Sequence, residues 1–214
     1  MGCSSGPDII QDGLTFCVDA ASVRSYPKSG TTWSDLAGSN DGTLTNMDGA
    51  NFSSDNGGSL SFDGTNEYID LGIITSGSTM SLSVWVNLDV NNIYQHIIDS
   101  SSNYWHFAML NNGYPYFYNG SVYPGSQSQI SANTWYMLSL SFDLTSWRIY
   151  INGSLDKTIN TATSALNHGN INIGRWQSGG RYLNGKISNL QIYNRALTAD
   201  EVRQNYLSTK ERFA

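Results

Sequence analysis

Charge is scarce in this chain. Only 13% of its 214 residues are Asp, Glu, Lys or Arg, and just three are glutamate: Glu67, Glu201 and Glu211. Lysine and arginine together number 11 against 17 acids, a net charge of −6, and no basic patch stands out. Nucleic acid is therefore not expected as a partner. The two cysteines, Cys3 and Cys17, are too few for a disulfide framework. The expectation is a buried, apolar Cys17 and an exposed Cys3, with a Cys3–Cys17 disulfide as the alternative. No apolar run approaches the length of a membrane span, so membrane insertion is not expected. The opening MGCSSGPDII has neither a charged n-region nor an apolar h-region, and Gly6 stands where a myristoylation signal wants Ser or Thr. No signal peptide is read here, and synthesis in a cytoplasm is expected.

Several chemistries lack their residues. The three histidines, His96, His106 and His168, have no ligand-type spacing, which argues against zinc. The spacing from Gly180 to Lys186 matches a phosphate-binding loop, but Ile187 follows where Ser or Thr should hold Mg²⁺. That loop also leads into a strand, so no helix N-terminus faces a phosphate. Nothing resembles a nucleophile elbow.

What is abundant is Tyr (13) and Gly (21), with Ser, Thr and Asn throughout. This is the composition of short strands joined by polar turns. From Thr79 to Leu88 the apolar residues Met80, Leu82, Val84, Val86 and Leu88 alternate with Ser81, Ser83, Trp85 and Asn87. Thr134 to Phe142 repeats the pattern, and Trp147, Ile149 and Ile151 follow, ending at Asn152-Gly153, a strong hairpin signal. Ser59–Phe62 and Tyr68–Leu71 flank a turn at Asp63-Gly64-Thr65-Asn66 and are predicted as two strands about it. Ile171 and Ile173 mark a short strand, and Lys186 to Tyr193 the last one. One helix has start signals: Thr198 and Glu201 form a capping box, and Leu197 and Val202 a hydrophobic staple. Residues 1–11 read as an N-terminal tail, 12–207 as one β-sandwich and 208–214 as a C-terminal tail, without internal repeats.

Five segments carry a family resemblance: GSLSFDGTNEYIDLG (58–72), MSLSVWVNLD (80–89), NTWYMLSLSFD (133–143), RIYINGSL (148–155) and GKISNLQIYNRALTADEV (185–202). In this order they resemble the laminin-G-like, concanavalin A-like lectin and glucanase superfamily. The resemblance implies an all-β, two-sheet antiparallel jelly roll with one short C-terminal helix. It also implies a module that binds glycans or proteins. Residues 17–44 resemble versions found in virion proteins of marine tailed bacteriophages. From this we expect a non-enzymatic virion accessory protein (capsid decoration, neck or fibre component), oligomeric in its assembly and touching other virion proteins and cell-surface glycans. A free-standing carbohydrate-binding module is the alternative, and a glycan-active enzyme comes third.

Two sites are suggested. Glucanases of this fold take their carboxyls from a strand of alternating acids, and no strand here has acids at i and i+2. No catalytic residue is therefore assigned. Tyr114, Tyr116 and Tyr118 alternate and should project from one face of one strand. Tyr104, Trp105, Tyr123, Trp176 and Tyr182 are further aromatic platforms, with Arg175 and Arg181 as polar partners. Glycan stacking, a protein contact and cross-strand packing all suit such a row. Relatives often hold one structural calcium ion, and here Asp19, Asp35, Asn40 and Asp41 are the oxygen donors available. Ser188 and Asn189 replace two acids found in many relatives, and the competing reading is turn hydrogen bonding by the same loop.

Overall fold

The computed structural model describes residues 8–74, 78–100, 105–118, 125–160 and 169–214. Among these are fifteen strands. The first seven are β1 (Leu14–Asp19), β2 (Thr32–Trp33), β3 (Gly42–Thr45), β4 (Phe52–Ser53), β5 (Ser59–Asp63), β6 (Tyr68–Ile73) and β7 (Met80–Leu88). Then come β8 (Gln95–Ser100), β9 (Trp105–Met109), β10 (Pro115–Tyr118) and β11 (Trp135–Phe142). The last are β12 (Ser146–Ile151), β13 (Ser154–Asn160), β14 (Asn170–Ile173) and β15 (Asn184–Tyr193), followed by helix α1 (Ala199–Thr209).

The strands form two antiparallel sheets. One runs β13-β12-β11-β7-β15-β5-β4, with β1 also paired to β15; the other runs β10-β9-β8-β14-β6-β3-β2. β15 is long enough to take two partners along one edge, β5 against 184–187 and β1 against 189–193. On its other edge Gly185 lets β15 lie close against β7. Its φ is +155°, and a Cβ there would lie 2.3 Å from the Asn87 carbonyl oxygen.

The alternation in the sequence becomes the core. Met80, Leu82, Val84, Val86, Leu138, Leu140, Phe142 and Ile149 are buried between the sheets, with Ile151 half-buried at the margin. Asn152 and Gly153 both have positive φ, the form of turn that joins β12 to β13. The other sheet contributes Ile98, Phe107, Phe117, Ile171 and Ile173 to the same core.

The two strands expected around Asp63–Asn66 are present as β5 and β6, and they do not pair with each other. β5 and β6 belong to opposite sheets, and the turn is a crossover. Thr65 N–H donates to Asp63 Oδ1 (2.7 Å) and Asp63 N–H to Glu67 Oε2 (2.7 Å), which fixes the change of direction. Each strand has its own inward pair, Leu60 and Phe62 or Ile69 and Leu71, so crossing buries both.

The helix is where its caps put it. Thr198 Oγ1 accepts from the Glu201 N–H, and Glu201 Oε2 accepts from the Thr198 N–H. Val202 and Tyr206 lie on a second apolar cluster of Trp85, Met137, Tyr150 and Tyr193, on the outer face of the eight-stranded sheet. Residues 208–214, expected as a tail, are part of this packing. The Phe213 ring stacks on Trp85 at 4.0 Å, and Trp85 Nε1–H donates to Thr209 Oγ1 (2.8 Å). Residues 8–11 are also held. Ile10 N–H donates to Asn205 Oδ1, and Tyr193 Oη–H to the Ile10 carbonyl. Both segments bring apolar side chains that an exposed Trp85 needs covered.

Candidate functional site

The outer face of the seven-stranded sheet is polar. Strand register aligns Tyr118, His106, Asp99, Asn172, Asp70, Thr43 and Thr32 side by side across all seven strands. Residues directly opposite in register share a face. Their neighbours along each strand, such as Phe117, Phe107, Ile98, Ile171, Ile173 and Ile69, fill the core instead.

A register shift between His96 and Ile98 shapes one end of this row. In a regular strand, residues three apart point to opposite faces. The extra residue of the bulge brings His96 round beside Asp99. His96 Nδ1 lies 3.3 Å from Asp99 Oδ2, without hydrogen-bond geometry. The His96 and His106 rings are 4.4 Å apart, centroid to centroid. His106 Nε2 is 3.1 Å from Tyr116 Oη. All three groups are buried, with exposures of 0% (His96), 1% (Asp99) and 4% (His106). Burial lowers both imidazoles to about 3, with the Arg181 charge adding to it and His96 also depressing His106. Burial raises the Asp99 carboxyl to about 7, against the pull of the Gln177 amide, Arg175 and Arg181.

Aromatic and guanidinium groups surround the cluster. Tyr118 lies 4.9 Å from the His106 ring, and Trp176 lies 6.3 Å from the His96 ring. Arg181 sits over Trp176 (4.8 Å) and Tyr94 (5.5 Å), and Arg175 over Tyr68 (3.5 Å). Arg175 Nη2–H also donates to Asn172 Oδ1 at 3.3 Å. At the opposite end of the row is an open hollow of about 430 Å³, lined by Ser39, Asn40, Asp41, Thr43, Asp70 and Asn170 among others.

The aromatics predicted as platforms divide. Tyr116, Tyr118 and Trp176 come together around the histidines, while Arg175 stacks on Tyr68 and donates to Asn172. Tyr114 sits in the turn before β10, where its carbonyl accepts from Leu110 N–H. Trp105 is corrected: it is fully buried and faces the inter-sheet core, because β9 begins on the inward phase. Tyr116 is 2% exposed, so it supports the cluster from beneath instead of offering a flat face. Tyr182 is half-buried between Arg181 and the core residue Leu183. Tyr104, Tyr123 and His168 lie outside the described residues, as does Cys3; Cys17 is buried, its thiol pushed up to about 12 mainly by burial.

The donors expected for calcium are engaged within the protein itself. Asp35 Oδ1 accepts from the Cys17 and Ala37 N–H groups, and Oδ2 from Asn40 N–H. Asp41 Oδ1 accepts from Asp35 N–H. Asp19 accepts both Arg212 guanidinium nitrogens, at 2.8 and 3.2 Å, and Arg212 also donates to Ser188 Oγ. The positive charge at Asp19 is therefore a guanidinium, and the loop carboxylates serve the turn.

Nothing in the sequence marks His96, Asp99, Asn172 and Tyr68 as neighbours. Their spacing is set by the bulge and the strand order, and the only signal in the chain was the polar character of alternate residues on short apolar strands.

Known proteins fit this architecture. A family model of the concanavalin A-like lectin/glucanases superfamily matches residues 63–203, more than half of the chain. No curated protein matches it in sequence. Among solved structures, it is similar to domain 4 of AbnA, a GH43 extracellular arabinanase from Geobacillus stearothermophilus, in complex with arabinotriose. The TM-score is 0.70 at 18% identity, over 90% of this chain and 98% of that one. The binding domain of Paraclostridial Mosquitocidal Protein 1 is similar with a TM-score of 0.71 at 15% identity, over 92% of this chain and 52% of that one. Trypanosoma rangeli sialidase gives 0.72 at 14% identity, and there this chain, covered over 99%, spans only 36% of the other. These likenesses are of fold. The family match together with the two-sheet topology makes this chain a member of the concanavalin A-like lectin/glucanases superfamily.

Proposed function

We propose that this chain is a non-catalytic glycan-binding module whose binding face is the outer surface of the seven-stranded sheet. The observation that carries this is the row from Tyr118 to Thr32. It crosses the whole sheet, with aromatic groups at one end and an open hollow of Asp and Asn side chains at the other. Half-buried rings such as Trp176 and Tyr68 match the apolar C–H faces of a sugar. The carboxylate and amide groups of Asp41, Asp70 and Asn170 match its hydroxyls. The other broad face is already covered by α1 and Phe213. The similar arabinanase domain, itself a separate domain with arabinotriose in its complex, supports the same reading.

Catalysis by a carboxyl pair is disfavoured by access. Glu67 is engaged by Asn51 and the Asp63 N–H, and Glu201 by the helix cap and Arg195. On the row itself Asp99 is raised toward neutrality, as a general acid would need, but it is sealed from solvent at 1% exposure. A glycosidic oxygen has no path to it.

Display on a phage particle, in contact with other virion proteins, is the second part of the reading. The resemblance of residues 17–44 supports it, and co-sedimentation of the chain with purified particles tests it. The glycan test is affinity electrophoresis and calorimetry against arabinan and other polysaccharides. Trp176→Ala is expected to weaken binding at least about tenfold, the scale of a buried aromatic anchor. Binding that is unchanged in Trp176→Ala and Asp70→Asn removes this face as the site, and release of oligosaccharide products overturns the non-catalytic reading.

A further inference from the structure

Thirteen buried side-chain polar atoms among the described residues have no hydrogen-bond partner, and eight of them lie in one place. They are both ring nitrogens of His96, both carboxyl oxygens of Asp99, Nδ1 of His106, Nδ2 of Asn172, Nε of Arg175 and Oε1 of Gln177. Buried polar groups in folded proteins are ordinarily satisfied, because each unpaired one carries its desolvation penalty. The other five atoms are scattered singly over Trp33, Ser59, Trp105, Trp147 and Asn189. Of the eight clustered atoms, those of His96, Asp99 and His106 carry lone pairs that a cation could take, whereas Asn172 Nδ2 and Arg175 Nε are donors and say nothing for one.

We infer that His96, Asp99 and His106 form a binding site for a divalent transition metal ion of the zinc class. One ligand atom from each lies within 4.8 Å of the others. The His96 Nδ1–Asp99 Oδ2 separation, 3.3 Å, is close to the edge of a zinc tetrahedron, about 3.4 Å for metal bonds of about 2.1 Å. His106 has its Nε2 against the Tyr116 hydroxyl at 3.1 Å, which orients the ring and leaves Nδ1 to face the ion. Two imidazoles and one carboxylate suit zinc better than calcium, which prefers six or more oxygens.

The site is built by the bulge in β8 and closed by the loop at 175–182. That loop is tied to the cluster by the His96 N–H, which donates to the Arg181 carbonyl at 3.0 Å. A bound ion would pin the sheet end on which Trp176 and Arg181 are carried. The proposal does not rest on the glycan reading, because metal uptake is measured with no sugar present.

The test uses the full chain, stripped with a chelator and titrated with Zn²⁺, and in parallel with Co²⁺ as a spectroscopic probe. One ion per chain is expected, with the Co²⁺ visible spectrum of a low-coordinate nitrogen–oxygen site, and Ca²⁺ should not displace it. Melting temperature should rise with Zn²⁺ and return on chelation. Asp99→Asn and His106→Gln should each weaken uptake at least tenfold. Should a variant fail to fold, the stoichiometry of Zn²⁺ uptake and the chelator-reversible rise in melting temperature of the unmutated chain give the same answer. No stoichiometric uptake, or uptake unchanged in both variants, overturns the site. Glycan binding that survives chelation leaves the two readings to stand or fall separately.

Discussion

The two outer faces of this sandwich are made by the same alternation and put to opposite uses. On the eight-stranded sheet the outward positions include Trp85, Met137, Tyr150 and Tyr193, and the chain's own helix and C-terminal segment close over them. On the seven-stranded sheet the outward positions are His106, Asp99, Asn172 and Asp70, and the cover is a loop with unpaired polar atoms beneath it. Burial on the first face releases apolar surface from water and stabilises the fold. Burial on the second costs free energy unless a partner is supplied. A protein keeps the second kind of surface for what it binds.

The sharpest way to break the comparison is Trp85→Ala. It removes the ring on which Phe213 and Tyr206 stack and the donor to Thr209. A loss of about 3–5 kcal/mol is expected in chemical denaturation. A loss below about 1 kcal/mol would mean the helix-side cover is ornamental. The polar face should answer in the opposite sense. Asp99→Leu removes a buried carboxyl that the Gln177 amide approaches without well-formed hydrogen-bond geometry, and it is expected to raise stability by about 1 kcal/mol in chelated protein, since a poorly paired buried group costs about 1–3 kcal/mol. With Zn²⁺ present the same change should lower it. A loss in chelator as well would show that Asp99 is already satisfied without an ion.

The asymmetry was half legible in the sequence. Apolar alternation at 80–88 and 134–142 is a local signal, and the core followed it residue by residue. The Thr198–Glu201 cap is equally local, and α1 starts at Ala199 as it dictates. The polar row was not legible, because it depends on strand order. His106 on β9 and Asp99 on β8 meet only through their register, and His96 joins them only through a bulge that no nearby residue type announces. Trp105 was misread for a related reason: the aromatic is conspicuous, but the phase of its strand decides which way it points. The strands on either side of Asp63–Asn66 are visible in the sequence but their crossover is not, because a tight turn between two strands looks alike whether they pair or part. Residues 208–214 were read as a tail because a lone Phe213 shows no periodicity, while its partner, Trp85, lies far away in the chain.

The smallest effect concerns the start of the helix that covers the apolar face. Glu201 sits in the first turn, where a negative charge opposes the helix dipole favourably, and it pairs with Arg195 at 2.6 Å. The Arg195 hydrogen bond comes first among the causes that hold its carboxyl down at about 2, below the ordinary 4.5; the Thr198 main-chain and side-chain donors add to it. The folded state thus releases this proton more readily than the unfolded chain does. Its contribution is complete above about pH 4.5 and is lost as pH falls toward 2. The pair is partly open to solvent, with about a quarter of each side chain exposed, so the contribution should be about 1 kcal/mol. His96 and His106, neutral when buried, also destabilise the fold in acid as pH drops below 6.5, so a bare pH scan mixes both faces. The difference between the unmutated chain and Glu201→Gln isolates the helix side, because the histidines titrate alike in both. That difference should be largest near pH 6 and shrink to nothing by about pH 2. A gap that stays constant across the range would place the worth of Glu201 in its hydrogen-bonding shape, with no share from its charge.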